Sequence, residues 1–216
     1  MVPTGCRAID VLLDGGLLES AITQFYGASG TGKTNVALSA AYAAAKTGKR
    51  VLFIDTEGSF HDERVKQVFG RERSLLKSIT LVNASSFEEQ KEAISNVFNH
   101  DVDLVIVDSM TSLYRVERND DNYYDVNREL GKQASLLLAY ARRNRIPVLI
   151  TNQVYTNVDS GFEEPVGGDV LKYYSKIIVS LEKNGRARKA TLKKHLCKRD
   201  GEECSFLIVE RGLADA

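Results

Sequence analysis

Short apolar runs recur along most of the chain, and longer segments of helical character separate them. The runs are nearly continuous rather than alternating with polar residues, which is typical of parallel strands covered on both faces. This rhythm predicts an α/β fold in which helices cover both faces of a mostly parallel sheet. The predicted strands are Ile22–Tyr26, Val51–Asp55, Ile79–Asn83, Leu104–Asp108 and Val148–Asn152.

The segments between these strands have sequence features of helices. Lys33–Lys46 is rich in alanine, and a glycine follows it, which commonly ends a helix. Ser86-Phe87-Glu88-Glu89 matches a capping box and predicts a helix to about Asn99. Tyr124–Asn144 is predicted to be a long helix, because its apolar residues fall on one face.

The pattern changes after residue 170. Lys176–Lys183 and Arg186–Leu196 flank Asn184-Gly185, a dipeptide typical of a tight hairpin in which both turn residues have positive φ. Phe206–Glu210 is the last predicted strand. We therefore expect antiparallel strands to extend the sheet at its C-terminal end, and we interpret residues 1–216 as a single domain.

Composition excludes several classes of protein. The 216 residues are 43% hydrophobic and 27% charged, which is ordinary for a globular chain and argues against disorder. No apolar run approaches the roughly 18–20 residues of a membrane span, and no signal peptide is visible, so we expect no membrane partner. The three cysteines are too scattered for a disulfide framework, which favours reduced thiols and a cytoplasmic location.

Charge is balanced overall but not locally. The chain carries 29 basic and 29 acidic side chains, which argues against a protein that coats nucleic acid through bulk charge. The segment Lys183–Arg199 nevertheless holds eight Lys or Arg and no Asp or Glu. Such a segment either contacts a phosphate backbone or is a charged strand edge that discourages edge-to-edge pairing.

The strongest motif lies between the first predicted strand and the first long helix. Gly27–Thr34 matches G-x-x-x-x-G-K-[ST] at every fixed position. The glycines of such a loop allow backbone N–H groups to surround phosphates, and the following helix adds the positive end of its dipole. Lys33 is predicted to reach the β- and γ-phosphates of ATP, and the Thr34 hydroxyl to bind Mg²⁺. The predicted nucleotide-binding residues of this region are Gly27, Ala28, Ser29, Gly30, Thr31, Gly32, Lys33, Thr34 and Asn35.

Polar side chains also follow three other predicted strands, and ligands of open parallel sheets bind beyond such carboxyl ends. Asp108 ends a buried strand and fits the second element of a nucleotide–magnesium site. Glu57 is a candidate to orient the water that attacks the γ-phosphate, and the alternative is an exposed loop acid. Gln153 is a candidate to contact the γ-phosphate through its amide, and the alternative is a polar strand end.

Several segments, taken in order, resemble the RecA-type recombinases and together cover nearly the whole chain. One resembles their catalytic-glutamate segment, another their second nucleotide motif with the start of the first DNA-facing loop, and two the borders of the second such loop. The segments are Pro3–Gly16, Ile22–Gly27, Asp55–Phe60 with Glu63-Arg64, Val107–Ser109 with Tyr114–Glu117, Thr151–Val154 and Pro165–Gly168.

This resemblance implies a RecA-type P-loop ATPase core that uses ATP and Mg²⁺. It implies that Glu57 is the catalytic glutamate, that Gln153 is the γ-phosphate sensor and that Arg64 lies against the adenine. The expected reaction is attack of water on the γ-phosphate, with Lys33, Asp108 and Mg²⁺ on the phosphate side.

Within the RecA-type recombinases, the chain resembles archaeal paralogues of RadA. We expect it to begin directly at the ATPase core, without the N-terminal helical DNA-binding domain of RadA, and the stretch between Gln153 and Pro165 is short. The resemblance implies a protein that binds ATP and DNA, hydrolyses ATP very slowly, does not exchange strands by itself and assists RadA. The expected partners are single-stranded or branched DNA, a RadA-type recombinase and, in a homodimer, a second copy of the chain.

Two basic regions are candidates for DNA contact. Arg115 and Arg118 lie in the predicted first DNA-facing loop, where nearby tyrosines can stack on unpaired bases. Neighbouring aspartates dilute this charge, and the tyrosines alternatively pack on the sheet. The second region resembles a Lys/His/Arg-rich motif of the archaeal paralogues, although Leu196 and Cys197 interrupt its basic character. Its candidate residues are Lys193, Lys194, His195, Lys198 and Arg199.

Three other functions are compatible with parts of this pattern. In the first, ATP is a switch ligand rather than a fuel, and only turnover rates distinguish it. The second is a small-molecule phosphotransferase, although no lid insertion is visible and Glu57 with Gln153 suits water better than another acceptor. The third is a signalling ATPase of the same fold, which would more naturally carry duplicated cores.

Overall fold

The computed structural model describes residues 1–156 and 163–216 and contains a nine-stranded sheet with helices on both faces. The strands are β1 (Ile22–Tyr26), β2 (Val51–Asp55), β3 (Ile79–Asn83), β4 (Leu104–Asp108), β5 (Val148–Asn152), β6 (Val154–Thr156), β7 (Glu163–Pro165), β8 (Ile177–Asn184), β9 (Ala187–Lys194), β10 (Glu203–Val209) and β11 (Gly212–Asp215). Their order in the sheet is β11-β10-β9-β8-β1-β5-β4-β2-β3, and β6 pairs with β7 in a small antiparallel ribbon. The pairs from β8 to β3 are parallel and those from β8 to β11 antiparallel, which confirms the predicted α/β architecture.

Two hydrophobic cores lie on opposite faces of this sheet. Alternate residues of a strand point to opposite faces, so that Phe53 packs in the core with α2 whereas Leu52 packs in the core with α6. None of the helices in the described part of the chain is long and apolar enough to cross a bilayer. The helices are α1 (Arg7–Leu12), α2 (Lys33–Lys46), α3 (Asp62–Phe69), α4 (Phe87–Ser95), α5 (Ser112–Glu117), α6 (Tyr123–Asn144) and α7 (Gly168–Tyr174), with 3-10 turns at Arg73–Ser78 and Asn96–Asn99.

The structure refines one predicted boundary and corrects another. The helix expected to reach Asn99 ends as an α-helix at Ser95 and continues as a 3-10 turn. In the hairpin, Asn184 pairs with Ala187, so the turn residues are Gly185 and Arg186, and of these only Gly185 has positive φ, at 59°. Glycine at the first turn position is typical of a type II′ hairpin, which needs positive φ only there.

The C-terminal end contains more structure than its apolar pattern predicts. The last predicted strand begins earlier, as β10, and a further strand, β11, returns antiparallel to it. A carboxylate oxygen of Asp215 in β11 accepts a hydrogen bond from the backbone N–H of Ala8 at 2.8 Å. This contact joins the two ends of the described chain across 207 positions, a separation that no local sequence pattern reveals.

The order of the parallel strands brings the sequence motifs together. Asp55 at the end of β2 is in register with Asp108 at the end of β4, and Tyr26 at the end of β1 with Asn152 at the end of β5. Parallel strands end at the same edge of a sheet. The loops after β1, β2, β4 and β5 therefore meet at this carboxyl edge, between strands that are neighbours in the sheet although distant in sequence.

Candidate nucleotide site and the adjacent groove

A cavity of about 580 Å³ opens at the carboxyl edge. Among the predicted nucleotide residues, Thr31, Arg64 and Asp108 are not part of its lining. The hydroxyl of Thr31 instead donates to the carbonyl oxygen of Ala28 at 2.9 Å and braces the loop from within. The lining residues are Gly27, Ala28, Ser29, Gly30, Gly32, Lys33, Thr34, Asn35, Glu57, Arg115, Gln153, Val154, Tyr155, Thr156 and Glu163.

The phosphate loop needs glycine at two of its fixed positions for steric reasons. A β-carbon on Gly27 would lie 2.3 Å from the carbonyl oxygen of Leu181 in β8. Gly32 has a φ of 105°, and a β-carbon there would lie 3.0 Å from Ile208 in β10. The strands β8 and β10 therefore pack closely against the phosphate loop, at the N-terminus of α2.

The ammonium group of Lys33 lies at the base of the cavity. Its Nζ donates to the carbonyl oxygens of Gly27 at 2.8 Å and Ala28 at 3.0 Å. Burial lowers the pKa of Lys33, and the negative charges of Glu57 and Asp108 act in the opposite direction. Hydrogen bonds from an ammonium to an ionised oxygen are stronger than those to a neutral carbonyl, so an anion in the cavity would compete well for this group.

Asp108 lies beneath the cavity, with an exposed fraction of 1%. One carboxylate oxygen accepts a short hydrogen bond from the Thr151 hydroxyl, and the other accepts from the Ser59 hydroxyl at 2.8 Å. Burial raises the pKa of Asp108, whereas bonds from Thr151, Ser59 and Thr34 lower it. The Thr34 hydroxyl, in the last residue of the phosphate loop, is thus among the groups that act on this carboxylate.

Asp55 shapes the loop that carries Glu57. Its carboxylate accepts hydrogen bonds from the backbone N–H groups of Glu57 at 3.1 Å, Ser59 at 3.0 Å and Phe60 at 2.8 Å. These bonds fold residues 57–60 around the end of β2 and direct Glu57 into the cavity lining. Asp55 therefore supports the segment that carries Glu57, and the catalytic role of Glu57 stays a prediction.

A chain of hydrogen bonds connects Glu57 to the predicted first DNA-facing loop. Oε1 of Glu57 accepts from the Ser109 hydroxyl at 2.8 Å and from Nε2 of Gln153 at 2.9 Å. Oε1 of Gln153 in turn accepts from a guanidinium nitrogen of Arg115 at 2.9 Å. The structure thus joins three of the predicted residues in one continuous network. Glu57 and Gln153 lie in the loops after β2 and β5, whereas Arg115, which was predicted to lie in a loop, belongs to the helix α5.

A second groove, of about 600 Å³, lies beside the nucleotide cavity and shares Arg115 and Tyr155 with it. The guanidinium of Arg118 stacks over the ring of Tyr123, 4.6 Å from its centroid. Aromatic rings and cations placed together in this way are typical of surfaces that stack on bases. The lining residues are Tyr114, Arg115, Arg118, Tyr123, Asn127, Tyr155, Val166, Gly167, Gly168, Asp169 and Val170.

The C-terminal basic residues lie at the other edge of the sheet. Lys194 pairs with Ile178 at the start of β8, and β8 runs parallel to β1, so this segment is at the amino edge. Nζ of Lys194 donates to the carbonyl oxygens of Lys172 and Ser175, both at 2.8 Å, and burial lowers its pKa. The structure therefore separates the two predicted DNA-contact regions.

Two further residues of this segment also have internal partners. Nζ of Lys198 donates to the carbonyl oxygens of Val11 and Leu12, each at 3.1 Å, and forms an ion pair with Glu202 at 2.7 Å. Nδ1 of His195 accepts from the backbone N–H groups of the turn that follows it. Lys193 and Arg199 are the exposed cations of the segment.

Arg64 lies behind the phosphate loop rather than in the cavity. Its Nε donates to the Asn35 side chain at 2.8 Å, and its terminal nitrogens donate to the carbonyl oxygens of Val209 and Glu210 at the β10–β11 turn. Burial lowers the pKa of Arg64. These bonds connect α3 to α2 and to the C-terminal strands, and contact with adenine stays a prediction.

Several residues of the site were not predicted from the sequence. Ser59 and Ser109 supply hydroxyl donors to Asp108 and Glu57, and Tyr155 lines both cavities. Each of these serines follows closely after a strand-end acid, which is the only local sequence feature that indicates them. The sequence predicts a short stretch between Gln153 and Pro165. Its central residues, 157–162, lie outside the described residues.

Comparison with known proteins agrees with this geometry. The model of the Rad51 family matches residues 1–216. The chain is 40% identical to DNA repair and recombination protein RadB of Methanosphaera stadtmanae, over 99% of this chain and 95% of that protein. It is 43% identical to the protein of the same name from Archaeoglobus fulgidus, over 99% of this chain and 97% of that protein. The chain belongs to the RadB branch of the Rad51 family.

A solved structure supports the same assignment. The crystal structure of the RadB recombinase is similar to this chain with a TM-score of 0.86 and 34% identity, and each chain is covered completely. The resemblance to archaeal paralogues of RadA is therefore confirmed, as is the RecA-type fold with antiparallel C-terminal strands. The fold of this family is that of the P-loop nucleoside triphosphatases.

Proposed function

We propose that this chain is an ATP- and DNA-binding accessory protein of homologous recombination and DNA repair. In this proposal it acts in the cytoplasm, assists a RadA-type recombinase, hydrolyses ATP weakly with Mg²⁺ and does not exchange strands alone. Residues 1–216 act as a single ATPase core domain. The observation that carries the proposal is the hydrogen-bond chain from Glu57 through Gln153 to Arg115, because it joins the nucleotide cavity to the adjacent groove.

The phosphate loop suits a nucleoside triphosphate with Mg²⁺. In our proposal the N–H groups of residues 27–35 and the ammonium of Lys33 bind the phosphates, and Arg64 approaches the adenine from behind the loop. Hard oxygen donors suit Mg²⁺, and the Thr34 hydroxyl beside the buried Asp108 carboxylate supplies two of them. When bound, Mg²⁺ neutralises charge that develops on the β- and γ-phosphates.

Weak turnover follows from the surroundings of Glu57. Its side chain lines the cavity beside Lys33 and is the group placed to orient water toward a γ-phosphate. One of its oxygens already accepts two hydrogen bonds, from Ser109 and Gln153. These bonds hold the carboxylate in one orientation through Oε1 and leave Oε2 for a water, and in our proposal hydrolysis is slow until Gln153 moves and the carboxylate can turn toward the γ-phosphate.

The adjacent groove supports single-stranded DNA contact. Arg115 and Arg118 supply positive charge, and Tyr123 and Tyr155 supply ring faces. Of the distant basic segment, only Lys193 and Arg199 remain for phosphate contact in this proposal, because Lys194, His195 and Lys198 bind the chain itself. A RadA-type recombinase and, in a homodimer, a second copy are the proposed protein partners.

The experiment is ATP turnover by the purified protein with Mg²⁺. It is run with and without single-stranded DNA, alone or with a RadA-type recombinase, and across salt concentrations because phosphate contacts weaken as salt rises. Tight ATP binding with slow turnover that a recombinase raises supports the proposal. Turnover that DNA alone raises many-fold contradicts the accessory role.

A second function, ATP as a switch ligand, is favoured by the two hydrogen bonds that hold Oε1 of Glu57. It predicts tight binding with background turnover under every condition, together with an ATP-dependent change in DNA or recombinase affinity.

A further inference from the structure

The β8–β9 hairpin places two cations against the outer side of the phosphate loop. Lys183 and Arg188 are directly opposite each other in the ladder. Nε of Arg188 donates to the carbonyl oxygen of Gly30 at 3.2 Å. A β-carbon on Gly30 would lie 3.0 Å from Nζ of Lys183. Both cations therefore meet the same residue of the loop.

The Lys183–Arg188 pair places two like charges opposite each other, whereas the neighbouring pair in the ladder has opposite charges. Glu182 and Lys189 are opposite in charge and form an ion pair at 3.4 Å, whereas like charges directly opposite each other destabilise a sheet. Within residues 1–156 and 163–216, neither Lys183 nor Arg188 forms an ion pair with a carboxylate. A local rule broken in this way points to a functional site, and an anionic ligand nearby would supply the missing negative charge.

The two cations approach the loop from behind. Neither of them lines the nucleotide cavity, whereas Gly30 does. Gly30 has a φ of 76°, a conformation that lets its carbonyl oxygen meet the Arg188 guanidinium on the hairpin side. Holding that carbonyl toward the hairpin keeps it away from the phosphates, which only N–H donors and cations attract.

We propose that Arg188 is a positioning residue for the phosphates of a nucleoside di- or triphosphate, and that Lys183 adds positive potential at the same point. Arg188 acts through the Gly30 peptide rather than by direct contact. The inference rests on the proposed function, since it assumes that the cavity takes such a nucleotide.

The test compares the affinities of variants for ATP, ADP and AMP, measured by displacement of a fluorescent ATP analogue. Arg188→Ala is expected to weaken ATP binding about tenfold, because the Gly30 peptide is no longer held toward the hairpin and a positive charge near the phosphates is lost, and to weaken AMP binding less. Arg188→Lys keeps the charge and should restore part of the affinity. Lys183→Ala should weaken ATP binding roughly threefold, as expected for an exposed charge near the phosphates.

The matched control is Lys189→Ala, which removes one positive charge from the same strand at a residue paired with Glu182 and Glu203. It should leave all three affinities unchanged. Melting of the nucleotide-free variants separates positioning from loss of fold. If Arg188→Ala lowers the melting temperature strongly, the ATP affinity of Lys183→Ala, a variant of an exposed residue, tests the role of these cations instead.

Three results would overturn the inference. The first is wild-type ATP affinity in both Arg188→Ala and Lys183→Ala, which leaves the proposed function intact because the wild-type protein still binds. The second is an equal loss for AMP and ATP, which would exclude a role at the phosphates. The third is failure of the wild-type protein itself to bind ATP, which would overturn the proposed function together with this inference.

Discussion

The two edges of the sheet carry similar basic side chains that have different partners. At the carboxyl edge, Arg115 and Arg118 bond a glutamine and an aromatic ring and face two open cavities. At the amino edge, Lys194 and Lys198 donate to backbone carbonyl oxygens. A cation that satisfies buried or helix-terminal carbonyls stabilises the fold, whereas one that faces a cavity remains available to a ligand. Variants should therefore change ligand affinity at the first edge and stability at the second.

The largest effect is expected from Lys33→Ala. Lys33 bonds two loop carbonyls, but its charge is also partly buried, and that burial, which lowers its pKa, offsets what the bonds contribute. Its removal should therefore leave the melting temperature of the nucleotide-free protein nearly unchanged. ATP affinity should fall by about 100-fold or more, since charge-assisted bonds to phosphate are lost. Titration calorimetry measures this, and normal ATP affinity in the variant would contradict the nucleotide assignment.

Glu57→Gln should separate binding from chemistry at the same edge. The amide keeps the shape and can still accept from Ser109, but it cannot take a proton from water. Turnover measured in single-turnover experiments should fall by about 10²–10⁴-fold, with ATP affinity within about twofold of wild type. Asp62→Asn, a neutral variant at an exposed acid of α3, is the control and should hydrolyse ATP normally.

Arg118→Ala tests the groove of the carboxyl edge. Loss of this cation over Tyr123 should weaken single-stranded DNA binding by roughly three- to tenfold and reduce the salt dependence by about one phosphate contact. Fluorescence anisotropy over a salt series measures both quantities. Arg128→Ala is its control, because Arg128 is already paired with Asp125 outside the groove. Equal DNA affinities in the two variants would exclude the groove.

The smallest effect is expected from Lys198→Ala, which tests whether a cation of the amino edge contributes to stability rather than to ligand binding. Lys198→Ala removes two bonds to the C-terminal end of α1 and one ion pair. We expect a loss of about 1 kcal/mol in the free energy of unfolding, or about 2–4 °C in melting temperature, without a change in ATP affinity. Lys193→Ala, at an exposed neighbour, should melt like wild type. A stable Lys198→Ala protein with weakened DNA binding would reverse this assignment of roles.

The central strands were predictable because each is a local apolar run. The bounds of β1 to β5 follow directly from such runs, and burial on both faces explains why the runs of β1, β2, β4 and β5 are nearly continuous, whereas β3 is a partly exposed edge strand. The phosphate loop was equally visible, because its motif spans eight consecutive residues, although the strands that require its glycines, β8 and β10, are distant in sequence. Asn184 shows the limit of this reasoning, since pairing with Ala187 moved the turn by one residue.

The network around Glu57 was only partly predictable. Glu57 and Gln153 could be chosen because both follow buried strands, yet their bond joins positions 96 residues apart. Ser109 was not chosen, because a serine after an acid is common and its role depends on the loop opposite. The hydrogen bond between Gln153 and Arg115 was not predictable either, since it depends on how the helix α5, which follows β4, approaches the loop after β5.

The sequence by itself determined the parallel core, the phosphate loop and the family to which the chain belongs, because apolar periodicity and short motifs are local properties. Only the tertiary structure decided which basic residues are free for a ligand. Lys198 bonds the end of α1 across 187 positions, and Arg188 bonds Gly30 across 158. Such partners are brought together by strand order and register, which depend on the packing of the whole sheet rather than on any segment of it.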